Sequence, residues 1–460
     1  MYSTQFLWSK GRYQIAIVPC FISGVPVPFF KPLVKSDNSA LETCLVLGML
    51  WIMVSIILLN ILSRKYLSFE SIESKWRRAC LHIGLTTQTN LQPDKDVKEF
   101  PTIVSVNPES FVVSSKGITP EQIQERRAEL NSSMGLFIGD VRYLAKPDGS
   151  THANLIELTY SWNDLPAHIP LSNVPIHASG EVVFGLGMDG YYAITLENMV
   201  HLGISGETGS GKSVFIRQLI TQLLVTDPHI VIVGIDFKGG VEFSFFEQLG
   251  NFVCADDFKK TGTVLKIILK EYQLRLQTVR KHDCDSIYDL TEKGTYVPPV
   301  VILVDEAAEF FGDKKQNSIY EDMSKIARLG RFAGIHLMIS TQRADVDAIP
   351  QQIRSMLTTR VIFRVSQKED SIMFIGSGEA TKLRKLPGRF YLKDADGQLR
   401  ELQAPYISKS DVKAMLRQLQ RHTGSPLMRL LKTVVREDGA GTSARIRDSE
   451  SVGAVNALSE

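Results

Sequence analysis

The residues Gly206-Glu-Thr-Gly-Ser-Gly-Lys-Ser213 have the types and spacing of a loop that binds the phosphates of a nucleoside triphosphate. Glycines let successive backbone N–H groups turn toward phosphate, and a helix N-terminus behind them adds its positive dipole. In this pattern Gly206, Glu207, Thr208, Gly209, Ser210 and Gly211 form the cradle. Lys212 is expected to reach the β- and γ-phosphates of ATP, and Ser213 to hold Mg²⁺. A second element, Val300-Val-Ile-Leu-Val-Asp305-Glu306, places Asp305 93 residues after Lys212. A hydrophobic strand ending in two acids puts Asp305 near the metal and Glu306 near the attacking water, which it would orient or deprotonate. A third run, Ser340-Thr-Gln-Arg343, offers Gln342 as an amide that senses the γ-phosphate, with a plain loop glutamine as the alternative. Arg328, Arg331 and Arg343 flank the apolar strand Ile335–Ser340 that leads into it. Arg331 is the first choice for a cation that neutralises transition-state charge across a subunit boundary, with Arg360 and Arg364 behind it. Structural ion pairs are the other reading of all of them.

These groups need elements to hold them. The apolar run His201-Leu-Gly-Ile-Ser205 reads as a buried strand, and Val214–Leu224 carries apolar residues at helical spacing, so the loop lies between strand and helix. Ile230–Ile235, Val300–Val304 and Ile335–Ser340 are continuous apolar runs of the kind found in strands buried on both faces. Helical patterns at 261–281 and 319–329 lie between them. The alternation predicts an α/β fold with a mostly parallel, doubly wound sheet and ligands at the strand C-termini.

The 460 residues leave room for two or three domains, and a net charge of +2 advertises no overall affinity for nucleic acid. Cys20, Cys44, Cys80, Cys254 and Cys284 are scattered without C-x-x-C spacing, which favours isolated reduced thiols over a disulfide framework or zinc. Thr43–Ser63 is uncharged and followed by Arg64-Lys65, then Lys75, Arg77 and Arg78. This predicts a transmembrane helix at about 43–63 with the C-terminal side, and the motor, in the cytoplasm. Residues 14–30 are also uncharged but hold three prolines, and read equally as a first pass or an interfacial loop. The expected organisation is a membrane anchor at 1–65 and a small α+β adaptor at 66–178. The ATPase motor follows at 179–409, then a basic helix and flexible tail at 410–460, where six Lys/Arg and no acids lie between Lys413 and Arg436.

Other clusters are less specific. Lys382, Arg384, Lys385 and Arg389 surround Leu386-Pro387-Gly388 and read either as a basic loop lining a DNA channel or as a solvated turn. Lys314-Lys315 carries the same ambiguity. His201 and His336 read as satisfied strand-end histidines, and Phe243, Phe245 and Phe246 as core packing.

The phosphate loop, Ile235-Asp-Phe-Lys-Gly-Gly240, Val300–Glu306, Ala327–Arg343 and Arg360–Ser371 together resemble the FtsK/SpoIIIE family over roughly 180–395. The resemblance implies a RecA-like P-loop motor, assembled as a homo-hexameric ring around double-stranded DNA that it pumps without regard to sequence. The chain departs from the family's pattern at Phe237 and Ala344, where proline is usual. The stretch after the motor is shorter than the winged-helix domain by which chromosome translocases read orientation sequences. A compact membrane-anchored motor resembles the coupling proteins of Gram-positive conjugative elements, which bring a DNA–relaxase complex to a transfer channel. Chromosome partitioning and protein export are the alternatives.

Overall fold

The computed structural model describes residues 55, 71–89, 97–176, 180–238, 243–244, 246–312, 317–342, 348–417 and 425–436. The chain divides into Met1–Ser71 and Ile72–Glu460, and the elements below belong to the second unit. Apart from Ser55, the stretches 14–30 and 43–63 lie outside the described residues, as do Phe245, Lys314, Lys315, Arg343 and the tail beyond 436. Among the described residues no helix is long and apolar enough to cross a membrane.

The first layer begins with helix α1 (Ile72–Ile83) and a short antiparallel pair, β1 (Thr87–Thr89) and β2 (Val97–Glu99). Strands β3 (Ile103–Val106) and β4 (Ser110–Ser114), helices α2 (Pro120–Glu125) and α3 (Arg127–Met134), and strands β5 (Phe137–Ala145) and β6 (Thr151–Ser161) follow. The four longer strands make an antiparallel sheet in the order β3-β4-β6-β5. Trp76, Ala79 and Cys80 fall on one face of α1 and are buried. Trp76 stacks edge-on to Phe111 at 5.3 Å and donates its indole N–H to the Pro101 carbonyl at 2.6 Å. The sequence predicts one helix from Pro120 to Leu130. Instead the chain breaks at Arg126, after a start capped reciprocally by Thr119 and Gln122, and Arg127 reaches away to Tyr391 and Glu401.

The second layer is a ten-stranded sheet. It opens with the hairpin β7 (Glu181–Gly187) and β8 (Gly190–Thr195), then α4 (Leu196–Met199), β9 (Leu202–Ser205), α5 (Lys212–Thr226), β10 (Val231–Ile235) and β11 (Phe252–Ala255). Helices α6 (Phe258–Lys281) and α7 (Ile287–Glu292) lead to β12 (Val300–Val304). Helices α8 (Ala307–Phe311) and α9 (Asn317–Leu329) then lead to β13 (Ile335–Thr341). The remainder is α10 (Gln351–Arg354), β14 (Thr359–Phe363), α11 (Lys368–Ile375), the hairpin β15 (Arg389–Lys393) and β16 (Leu399–Gln403), α12 (Lys409–Leu416) and α13 (Pro426–Arg436).

The strand order is β11-β10-β12-β13-β9-β14-β15-β16-β7-β8. The six strands from β11 to β14 pair in parallel, and the next four pairings are all antiparallel. The sheet is therefore mixed: a parallel half is extended by two antiparallel hairpins. Side-chain alternation splits the parallel strands between two cores. Val231, Val233, Ile302, Val304, Leu337 and Ile339 pack on one face with α6 and α9. Ile232, Val301, Leu303, Met338 and Ile204 pack on the other with α5. Two buried faces are why these strands read as unbroken apolar runs.

Candidate nucleotide-binding site

The phosphate loop leaves the C-terminal end of β9, and α5 starts at Lys212. Two of its glycines are forced. Gly206 has φ +150, and a Cβ there would lie 2.6 Å from that of Phe363. Gly211 has φ +110, and a Cβ there would lie 2.6 Å from the Gly388 nitrogen. The loop is also pinned from outside: Glu207 N–H donates to Arg364 O at 3.3 Å and Gly388 N–H donates to Ser210 O at 2.8 Å. Lys212 is buried and donates to the carbonyls of Gly206 and Glu207. Burial lowers its pKa, and the nearby carboxylates of Glu306 and Asp305 oppose that shift.

Asp305 is fixed at the end of β12 by its N–H, which donates to Ile235 O at 2.9 Å. Its side chain and Ser213 line one small cavity together with Ile216, Ile220 and Phe243. A hydroxyl and a carboxylate are the oxygen donors that Mg²⁺ takes beside water and substrate phosphates, so these residues fit that ion. Glu306, next in the chain, adopts φ +53, a left-handed conformation that costs a non-glycine residue about 1–3 kcal/mol. Its carboxylate is 8% exposed at the residue level, and its Oε1 accepts from Gln342 N–H at 3.1 Å and from the Thr341 hydroxyl at 3.3 Å. The Gln342 side chain turns the other way, its Oε1 accepting from the Thr208 hydroxyl at 3.0 Å. The cradle, both acids and Gln342 thus meet at the C-terminal ends of three parallel strands, with β13 between β9 and β12.

The remaining expectations divide. Arg331 is exposed in a short 3₁₀ turn (Arg331–Ala333) just before β13, so roughly 20 Å of strand separates it from Gln342. Arg360 and Arg364 do not extend toward a neighbour. Arg360 binds the carbonyls of Leu357, Phe374 and Arg354, and Arg364 those of Thr381 and Leu383. In the basic loop, Lys382 pairs with Glu379 at 2.7 Å, Arg384 pairs with Asp164, and Lys385 is exposed. Arg389 departs furthest from a solvated contact. It is 1% exposed and binds Glu401, Asp164, Gln403 and the Leu165 carbonyl. The loop is a buttress: its Gly388 end bears on the phosphate loop, and its arginines hold the chain leading out of the first layer.

His201 and His336 are satisfied as expected. His201 accepts from Leu337 N–H at 2.9 Å and lies 2.9 Å from Ala327 O, while His336 lies 2.8 Å from Val200 O and 2.6 Å from the Tyr288 hydroxyl. Among the described residues no His/Cys/Asp/Glu cluster suits a metal. Sequence reasoning gave no role to Lys238, whose ammonium lies 3.6 Å from Glu306 and 3.3 Å from Glu309. Two signals were available: its position just past β10, on the side of the sheet where the site forms, and its place within the Ile235–Gly240 segment of the family resemblance.

Fold and site together define a P-loop ATPase domain. Residues 176–296 match the FtsK/SpoIIIE family model. The DNA translocase FtsK of Staphylococcus epidermidis is 30% identical over 237 residues, which are 48% of this chain and 29% of that protein. The DNA translocase SftA of Bacillus subtilis is 31% identical over 228 residues, 48% of this chain and 24% of that protein. The chain thus spans less than a third of the length of these curated relatives. Among solved structures, the pCW3 conjugation coupling protein TcpA, a monomer with ATPγS, superposes with a TM-score of 0.54 at 23% identity. That likeness covers 76% of this chain and 99% of that one, and it is a likeness of fold.

Proposed function

We propose that this chain is a membrane-anchored motor that hydrolyses ATP to move DNA, and that its task is to deliver a DNA–relaxase complex to a conjugative transfer channel. The observation that carries the hydrolytic reading is the convergence of Lys212, Ser213, Asp305, Glu306 and Gln342 on one end of the sheet. Lys212 exchanges the loop carbonyls for the β- and γ-phosphates of ATP. Ser213 and Asp305 would hold Mg²⁺, which would supply neutralisation of phosphate charge. Glu306 orients or deprotonates the attacking water, and Gln342 reports the γ-phosphate. Arg331, remote from its own site, supplies the finger to the next subunit of a homo-hexameric ring.

DNA as the moved polymer is supported by the names of the curated relatives, both DNA translocases. Lys385 is the first DNA contact to test, because Lys382 and Arg384 are paired within the protein. The coupling task is supported by the fold shared with TcpA, which extends beyond the half of the chain that the curated relatives match. The cell membrane as location, with the motor cytoplasmic, is supported by the uncharged stretch 43–63 and its basic flank.

The test is the ATPase rate of the full-length chain with and without linear double-stranded DNA, beside Lys212→Ala. Stimulation by DNA that the variant loses is expected. Hydrolysis indifferent to DNA would sink the DNA reading and move the weight to a protein substrate.

A further inference from the structure

Lys238 stands where the chain leaves β10, its backbone N–H bonded to Asp236 Oδ1 at 2.8 Å. Its ammonium is 3.6 Å from Oε2 of Glu306, while Oε1 of the same carboxylate is taken by the Gln342 N–H and the Thr341 hydroxyl. Each oxygen of Glu306 therefore has its own partner, one from the end of β13 and one from the end of β10. On its far side the ammonium is held by Oε1 of Glu309 at 3.3 Å. The other site lysine, Lys212, is bonded to the loop carbonyls.

We propose that Lys238 is a positioning residue for hydrolysis: it clamps Oε2 of Glu306 so that the carboxylate plane is fixed toward the attacking water, and Glu309 steadies the clamp. The role rests on the hydrolytic reading of the site above. Lys238 is 43% exposed, and a half-exposed ion pair stabilises a fold by little. Its value lies in aim. Misplacing a catalytic group by about 1 Å can cost on the order of 10²-fold in rate. The backbone strain at Glu306 presents the side chain, and the three partners on its two oxygens fix its rotation.

The experiment compares full-length wild type, Lys238→Met, Lys238→Arg, Glu306→Gln and the double variant Lys238→Met/Glu306→Gln. It reads steady-state ATP hydrolysis and the binding of a fluorescent ATP analogue with Mg²⁺. Lys238→Met is expected to lower kcat by on the order of 10²-fold. Its Kd for the analogue should change less than about threefold, because the phosphate loop and Lys212 are left intact. Lys238→Arg should restore most of kcat, and Lys238→Met should cost almost nothing further in the Glu306→Gln background. Three results would overturn the role: wild-type or faster turnover in Lys238→Met, a Kd that rises in step with the loss of kcat, or full additivity with Glu306→Gln. A wild-type chain that binds the analogue but hydrolyses no ATP would instead overturn the hydrolytic reading itself, and the clamp with it.

Discussion

The hydroxyl of Thr208, in the phosphate loop, donates to the side-chain carbonyl of Gln342, at the end of β13, at 3.0 Å. Gln342 also gives its backbone N–H to Glu306, so a single residue touches both the phosphate loop and the acid that follows Asp305. Phosphate entering the loop would compete for Thr208, and through Gln342 that competition would reach the carboxylate of Glu306.

That link predicts a specific phenotype. Gln342→Ala removes the side-chain amide but keeps the N–H on Glu306. Turnover should fall about 10- to 100-fold with little change in the Kd for ATP, because the loop and Lys212 are untouched. Steady-state kinetics beside a binding titration checks it. A rise in Kd matching the loss of turnover would make Gln342 a nucleotide ligand rather than a relay.

Arg331 can be tested by mixing. If the finger acts on the neighbouring subunit, Arg331→Ala and Lys212→Ala are each inactive alone. An equimolar mixture should regain a measurable fraction of wild-type hydrolysis, since some interfaces pair an intact loop with an intact finger. No recovery, with mixed assemblies verified by differential tagging, would return Arg331 to an ordinary surface arginine.

Gly211→Ala tests the buttress. The new Cβ would lie 2.6 Å from the Gly388 nitrogen at a backbone angle of φ +110. The chain should lose about 1–3 kcal/mol of stability, seen as a lower Tm, together with nucleotide binding. Gly209→Ala has open space around its Cβ and is strained only by φ +78, so it should be the milder of the two. Equal effects would mean that backbone strain, not contact with Gly388, sets the requirement.

Acid should weaken the fold in a defined window. Burial holds His201 at about 4 and His336 at about 3, against an ordinary 6.5. The unfolded chain takes up both protons near 6.5, so stability from these groups is full above that pH and falls on acidification. Asp140 works against them, because burial, partly offset by Arg400, raises it to about 6 and the folded state gains that proton. Near pH 5.5 the difference is about one proton, or about 1.4 kcal/mol per pH unit. Tm measured between pH 7 and pH 5 should decline, and Asp140→Asn should steepen the decline toward two protons. A flat profile would show that one of the histidines is charged in the fold.

The chemistry-bearing residues were legible because each lies in a short contiguous signal. Glycines at 206, 209 and 211, the lysine at 212, and acids at the end of a run buried on both faces need only local geometry to be recognised. The parallel half of the sheet was legible for the same reason, since a strand with two buried faces must be apolar throughout. The hairpins of the antiparallel half were not, because pairing partners and register depend on which edges meet. The basic loop shows the limit most clearly. In sequence, Arg384 and Arg389 are charges beside a turn; in the fold they answer Asp164, more than 200 residues away in the chain, and Arg389 is buried. The glutamate clamp is of the same kind: Lys238, Glu306 and Gln342 come from three separate strand ends. Sequence alone determined that a phosphate-type loop and two strand-end acids are present, since that information is local. Only the tertiary structure decided which charges face one another, because ion pairs and carboxylate orientation depend on distances that chain separation does not encode.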